Sequence, residues 1–130
     1  MKLRVRFAET DQMGVAHHSA YVVWLEAARI EWLRARGLDY RRLEEAGVAL
    51  AVSEIGVQYL KSSRFDDELE IEAVMTELRS RRVRFRYVIR RDGAEIATAS
   101  SLHTPISPSG RVTRLPALWL EALHKHVQTD

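Results

Sequence analysis

A long apolar stretch with a stop at each end constrains this chain most. It runs from Glu9 to Gly37, ETDQMGVAHHSAYVVWLEAARIEWLRARG. A charged turn, Glu9-Thr10-Asp11, leads through a loop containing Gly14. A helix is expected from Ser19 or Ala20, with Ser19 as N-cap, because its hydroxyl can accept from a first-turn amide. Gly37 suits the C′ position, where the left-handed conformation costs glycine little. Arg34 and Arg36 fall in the last turn, which favours cations. Tyr21, Trp24, Leu25, Ala28, Trp32 and Ala35 form one stripe at helical spacing. Val22, Val23, Ile30 and Leu33 form a second on roughly the opposite side. A helix apolar on most faces is expected to be buried on most faces. In a chain this short a sheet wrapped around it would do that.

The chain has 130 residues, which predicts one domain over 1–130. A chain of that length buries about two-thirds of its unfolded surface without a staple. It contains no cysteine, which excludes disulfides, thiol nucleophiles and thiolate metal sites. The N-terminus alternates and has no apolar h-region, so it does not read as a signal peptide. No run is long enough for a membrane span, and the expected compartment is the cytoplasm. The net charge of +2 makes no global demand for nucleic acid.

Leu3, Val5 and Phe7 alternate with Arg4 and Arg6, predicting a first strand with one wet face. After the helix, Asp39 caps a short second helix, Tyr40 to Ala46, closed by Gly47. Val48 to Leu60 is strand-like. Its VALAV portion suits a central strand, and Gly56 suits a bulge or close packing. A polar turn spans Lys61 to Asp67. Leu69 to Met75 and Val83 to Ile89 alternate as two more strands. Asp92-Gly93 is a hairpin signal before a last strand, Glu95 to Ile106. Pro108-Ser109-Gly110 is a turn, and Leu115 to Val127 reads as a helix with Pro116 near its start. One long helix followed by a meander of strands defines an α+β domain.

Several residues could carry chemistry. Asp11 stands just after the first strand, several residues before a helix N-terminus. It could be a nucleophile or general base with helix-end amides as oxyanion donors, or a turn residue. His17 and His18 could be ligand contacts or proton donors, or ordinary loop histidines. Adjacent histidines rarely share one ion, so a metal site is not expected. Glu26 could be a base if buried; Glu26 with Arg29 and Glu31 with Arg34 could equally pair at i,i+3. Seven arginines lie between Arg79 and Arg91, interleaved with aromatics, which raises nucleic acid. Strand alternation instead puts Phe85 and Tyr87 on the face opposite Arg84 and Arg86. That leaves a solvated basic face, or a phosphate-binding patch. Arg79, Arg81 and Arg82 cluster at a strand start, where they could reach the phosphates of a nucleotide-bearing molecule.

The pattern T-D-x-x-G-V-x-x-H-x-x-Y-x-x-W-x-E-x-A-R-x-E-W-L over Thr10 to Leu33 resembles the hot-dog acyl-CoA thioesterases of the 4-hydroxybenzoyl-CoA thioesterase type. Tyr59-Leu60-Lys61 with Arg64 to Leu69, Asp92-Gly93, and Gly110 to Pro116 resemble later blocks of that family. Ser62 stands where the family often has proline, and Met13 departs from a small residue.

The resemblance implies a hot-dog fold, an antiparallel sheet around one long helix. It implies edge-to-edge dimers, often doubled to tetramers, with sites at the dimer interface. It implies hydrolysis of an acyl-CoA thioester, or one on acyl carrier protein, with no cofactor or metal, because a thiolate already leaves well. Asp11 matches the catalytic carboxylate. His18 matches the position whose backbone N–H polarises the carbonyl. The expected substrate-binding set is Gly14, Val15, His17, Ser19 and Tyr21, with Arg79, Arg81 and Arg82 for the carrier. Glu26 is the rival carboxylate. A non-catalytic acyl-CoA-binding or nucleic-acid-binding module is the alternative reading.

Overall fold

Strand β1 (Lys2–Arg4) opens the chain and pairs antiparallel with β3 (Glu68–Arg79), Leu3 opposite Leu69. These elements come from a computed structural model that describes residues 1–128. β1 is shorter than its alternation predicts. Val5 stays buried, but Phe7 turns out of line into a one-turn 3-10 segment, Phe7–Glu9. The Glu9 side chain accepts from the Arg6 amide at 2.8 Å, and that local bond competes with extending the strand.

The long helix is α1, His18–Ala35. It starts one residue earlier than expected. His17, not Ser19, is the N-cap, and it makes no side-chain cap bond; Ser19 is exposed in the first turn. The far end follows the sequence. Gly37 has φ +78°, its amide donates to Arg34 O, and Leu38 N donates to Leu33 O, each at 3.0 Å. That pair of bonds is a Schellman closure.

Burial of α1 is one-sided. Ala20, Tyr21, Trp24, Leu25, Ala28, Trp32 and Leu33 are buried, whereas Val22 is 39% and Val23 57% exposed. Ala35 is exposed too. The sheet offers one face to α1 and does not enclose its far side, so the second stripe keeps only Leu33 in the core.

Helix α2 (Tyr40–Glu45) is capped by Asp39, whose carboxylate accepts from Arg41 N at 2.9 Å. Strands β2 (Ala49–Tyr59), β3, β4 (Arg82–Arg91) and β5 (Ala94–Ile106) complete a five-stranded antiparallel sheet, order β1-β3-β4-β5-β2. β2 is therefore an edge strand, not a central one. Its apolar start is covered by α2 instead: Tyr40 Oη accepts from Leu50 N at 2.9 Å. The bulge in β2 falls between Val52 and Glu54, while Gly56 pairs regularly with Ser100.

β4 behaves as its alternation predicts. Val83, Phe85, Tyr87 and Ile89 are buried against α1, and the arginines face outward. Asp92 (φ +52°) and Gly93 (φ +79°) make the two-residue hairpin, both left-handed as a type I′ turn requires. The C-terminal helix is shorter than expected. α3 spans Ala117–Leu123 with Pro116 at its N-cap, and His124–His126 tighten into a 3-10 turn.

Candidate active site

The loop between β1 and α1 folds as a miniature hairpin. Asp11 N donates to Val15 O and His17 N to Glu9 O, both at 2.8 Å, with a bridge between Thr10 and Ala16. Gly14 turns the tip with φ +77°. The root is tied to α1, because Trp24 Nε1 donates to Glu9 Oε2 at 2.6 Å while Arg6 pairs with the same carboxylate at 3.0 Å. Burial pushes the Glu9 carboxyl up, but bonds from Arg6 and Trp24 outweigh it and hold it below the ordinary range.

Asp11 is exposed, and its Oδ1 accepts from two amides, Met13 N at 2.8 Å and Val15 N at 3.1 Å. Among the described residues Oδ2 accepts nothing. The Val15 amide holds the carboxyl below its ordinary value; slight desolvation opposes this, and Met13 N and the nearby His17 add to the lowering. The turn-forming and chemical readings of Asp11 are thus compatible: one oxygen shapes the loop while the other faces out.

The other half of the site is the start of α1. The first amides of a helix have no intrahelical acceptor. Among the described residues His18 N finds no partner outside the helix either. The His18 imidazole stacks on Tyr59 at 4.4 Å, and Tyr59 Oη donates to His18 O at 3.0 Å. Tyr21 meets Tyr59 edge-on at 4.9 Å and shares a 2.7 Å hydrogen bond with Ser63 Oγ. A groove of about 220 Å³ lies here, lined by Val15, His18, Tyr21, Tyr59 and Lys61 among others. The segment after β2 clamps it to the hairpin loop: Ala16 N donates to Ser63 O at 2.8 Å, and the Arg64 guanidinium to Met13 O at 3.2 Å.

Of the expected site residues, the structure brings together Val15, His18 and Tyr21 on the groove. Gly14 and Asp11 lie on the adjoining loop tip, with His17 and Ser19 exposed beside it. Arg79, Arg81 and Arg82 lie elsewhere. They occupy the β3–β4 hairpin, and β3 runs 12 residues away from the loop that holds Arg64, about 36 Å at strand rise. Arg79 and Arg82 there pair with Glu77 at 3.3 and 3.5 Å. Within one chain these arginines and Asp11 do not form one site.

Glu26 is also off the groove, eight residues down α1, roughly 12 Å along the helix axis. Glu31 pairs with Arg34 as spacing allows, but Glu26 makes no ion pair with Arg29. Among the described residues no three His, Asp or Glu side chains converge in a way that could hold a metal. Sequence reasoning gave no role in the site to Tyr59, Ser63 or Arg64. Their signal was present only as part of the second resembling block.

An α+β sheet of this order, packed on a long helix whose open N-terminus follows a carboxylate-bearing loop, is the hot-dog thioesterase architecture. It superposes on the hypothetical protein TT1821 from Thermus thermophilus with TM-score 0.92 and 40% identity, covering 97% of each chain. The DHNA-CoA thioesterase from Staphylococcus aureus matches with TM-score 0.92 and 28% identity, over 96% of this chain and 87% of that one. The acyl-CoA thioester hydrolase YbgC of Escherichia coli O6:H1 is 38% identical over 77 residues, 59% of this chain and 58% of that protein. The family profile of the Thioesterase-like superfamily matches residues 5–123. This chain belongs to that superfamily, and its class of chemistry is thioester hydrolysis.

Proposed function

We propose that the chain, as a single hot-dog domain, is an acyl-CoA thioesterase of the 4-hydroxybenzoyl-CoA thioesterase type. The observation that carries this is the pairing of a half-anchored carboxylate with an unclaimed helix-end amide. Asp11 Oδ1 is held by Met13 and Val15, and His18 N has no partner among the described residues. The His18 amide, aided by its neighbours, stabilises the oxyanion.

The lowered pKa of Asp11 keeps it ionised at neutral pH, as a nucleophilic carboxylate must be; a carboxylate is a feeble general base there, and the nucleophilic route is the one taken. Asp11 Oδ2 attacks the thioester carbonyl carbon, and the C–S bond breaks with its electron pair leaving on the CoA thiolate. Water then attacks the mixed anhydride, releasing the acid and restoring the Asp11 carboxylate. Gly14, Val15, His17, Ser19 and Tyr21 shape the acyl end of this site. A panel of acyl-CoA and acyl-carrier thioesters, followed by thiol release, tests the reading. Absence of hydrolysis across the panel sinks it.

The site is completed by a second copy. β2 leaves one edge unpaired, with Val52 and Ile55 exposed along it, and an open edge invites pairing. Edge-to-edge dimers, with or without doubling to tetramers, extend the sheet. They also offer a route by which Arg79, Arg81 and Arg82 reach a carrier bound near another chain's Asp11. The nucleic-acid alternative weakens on β4, where Arg82 and Arg84 share Glu77, Arg90 pairs with Glu72 and Arg91 with Asp67.

A further inference from the structure

Arg29 is a charged side chain of α1 that faces inward and is only 8% exposed. Its guanidinium donates to Tyr87 Oη at 3.2 Å. Tyr87 Oη lies 2.5 Å from Ser101 Oγ, which lies 2.7 Å from His103 Nε2. None of these groups supplies a negative charge. Burial, with Arg29 adding repulsion, lowers the His103 pKa to about 3, so the ring is neutral at pH 7. Among the described residues no carboxylate pairs with Arg29; Glu26, one turn earlier, is exposed and lines the same pocket without pairing with it. That one hydrogen bond leaves most of the guanidinium's five donors without a partner among the described residues, and none of them is sealed from solvent, so they are open to the space beside them.

Arg29 also lines a pocket of about 180 Å³ between α1, α2 and the start of β2, with Glu26 beside it and Ile30, Leu33, Tyr40, Leu50 and Val52 as the other walls. At the roughly 30 Å³ that one water occupies, this holds about six groups of that size. A largely apolar pocket with the Arg29 guanidinium in its wall, and the exposed Glu26 carboxylate beside it, matches a ligand with one carboxylate for Arg29 and a short apolar body.

We infer that this pocket is a second ligand site, for a small apolar monocarboxylate whose carboxylate meets Arg29. It shares no lining residue with the His18 groove. The two lie eleven residues apart on α1, about 17 Å along the axis. The acid released in the proposed reaction belongs to this chemical class, so on that reading the pocket is a product site. The binding itself rests only on Arg29 and the pocket.

The test is calorimetric titration of the full chain, without any catalytic readout, using hexanoate, hexan-1-ol and hexylammonium. Hexanoate binds saturably at one per chain, hexan-1-ol at least about tenfold more weakly, and hexylammonium not at all. Arg29→Met reduces hexanoate affinity by at least about tenfold and leaves hexan-1-ol unchanged. Glu26→Gln tightens hexanoate by removing the nearby like charge. Because Arg29→Met strips Tyr87 of a donor and can perturb folding, Ile30→Trp is the second probe: it fills the pocket from the half-buried flank of α1 and abolishes hexanoate binding with the Arg29 network intact. Equal binding of acid and alcohol overturns the inference. So does hexanoate binding that survives both Arg29→Met and Ile30→Trp, which places it in the His18 groove. Failure of hexanoate to bind, with Arg29→Met instead loosening the oligomer, overturns it in favour of a counter-charge from a second copy.

Discussion

Tyr59 Oη donates to the carbonyl of His18 at 3.0 Å, and the two rings stack 4.4 Å apart. The last residue of β2 thereby fixes the first turn of α1, the turn whose free amide the proposed chemistry uses. Tyr59→Phe keeps the stack and loses the hydrogen bond, a net effect of about 1 kcal/mol. Turnover falls by about fivefold with KM nearly unchanged. Tyr59→Ala loses both contacts and falls further, by at least about tenfold. Steady-state kinetics on the best acyl-CoA of the panel reads this, and a pure KM effect in Tyr59→Phe excludes the positioning role.

Asp11→Asn retains shape and removes charge. Single-turnover hydrolysis drops by at least about a hundredfold, the scale of losing a positioned acid–base or nucleophilic group. Glu26→Gln, off the groove, stays near wild type. His18→Ala, which keeps its backbone amide, loses less than Asp11→Asn. Normal turnover in Asp11→Asn alongside loss in Glu26→Gln reverses the assignment.

The lowered Asp11 pKa sets the acid limb of the rate profile. Its charged form is favoured in the folded chain, so the stability it adds is present above its unfolded pKa and lost as pH falls through the folded one. Activity therefore persists below the ordinary aspartate range, as far as the fold survives. A rate profile with its acid limb above pH 5 contradicts a nucleophilic Asp11 with this environment.

His103 limits that survival. Its pKa is lowered from 6.5 to about 3, so folding favours the neutral ring. Its contribution is complete above pH 6.5 and declines as pH falls toward 3, by about 1.4 kcal/mol per pH unit for one such group. Urea melts at pH 7, 6 and 5 show midpoints falling with pH. His103→Gln, which cannot titrate but can still bond Ser101, flattens the trend.

Light scattering at micromolar concentration reports a multiple of the chain mass. Ile55→Lys, on the open edge of β2, shifts it toward the monomer and lowers activity in parallel. Replacing Arg79, Arg81 and Arg82 by alanine weakens CoA binding and its salt dependence in the oligomer alone. A fully active monomer contradicts the shared site.

The one-dimensional sequence determined what depends on near neighbours. The alternation of β4, the Asp92-Gly93 turn, the Asp39 cap and the Gly37 closure each involve residues within a few positions, so period and turn chemistry specify them. Asp11 beside a helix start was legible for the same reason. Tertiary structure alone decided what depends on distant pairing. A periodic stripe says that a face is apolar, not whether a partner covers it, so Val22 and Val23 were expected inside and lie exposed. An apolar run does not say whether its strand pairs on one side or two, so β2 was expected central and forms an edge. Tyr59 meets His18 across 41 positions, and Arg29 meets Tyr87 across 58. Contacts of that separation come from strand order and register, which follow from the packing of the whole chain.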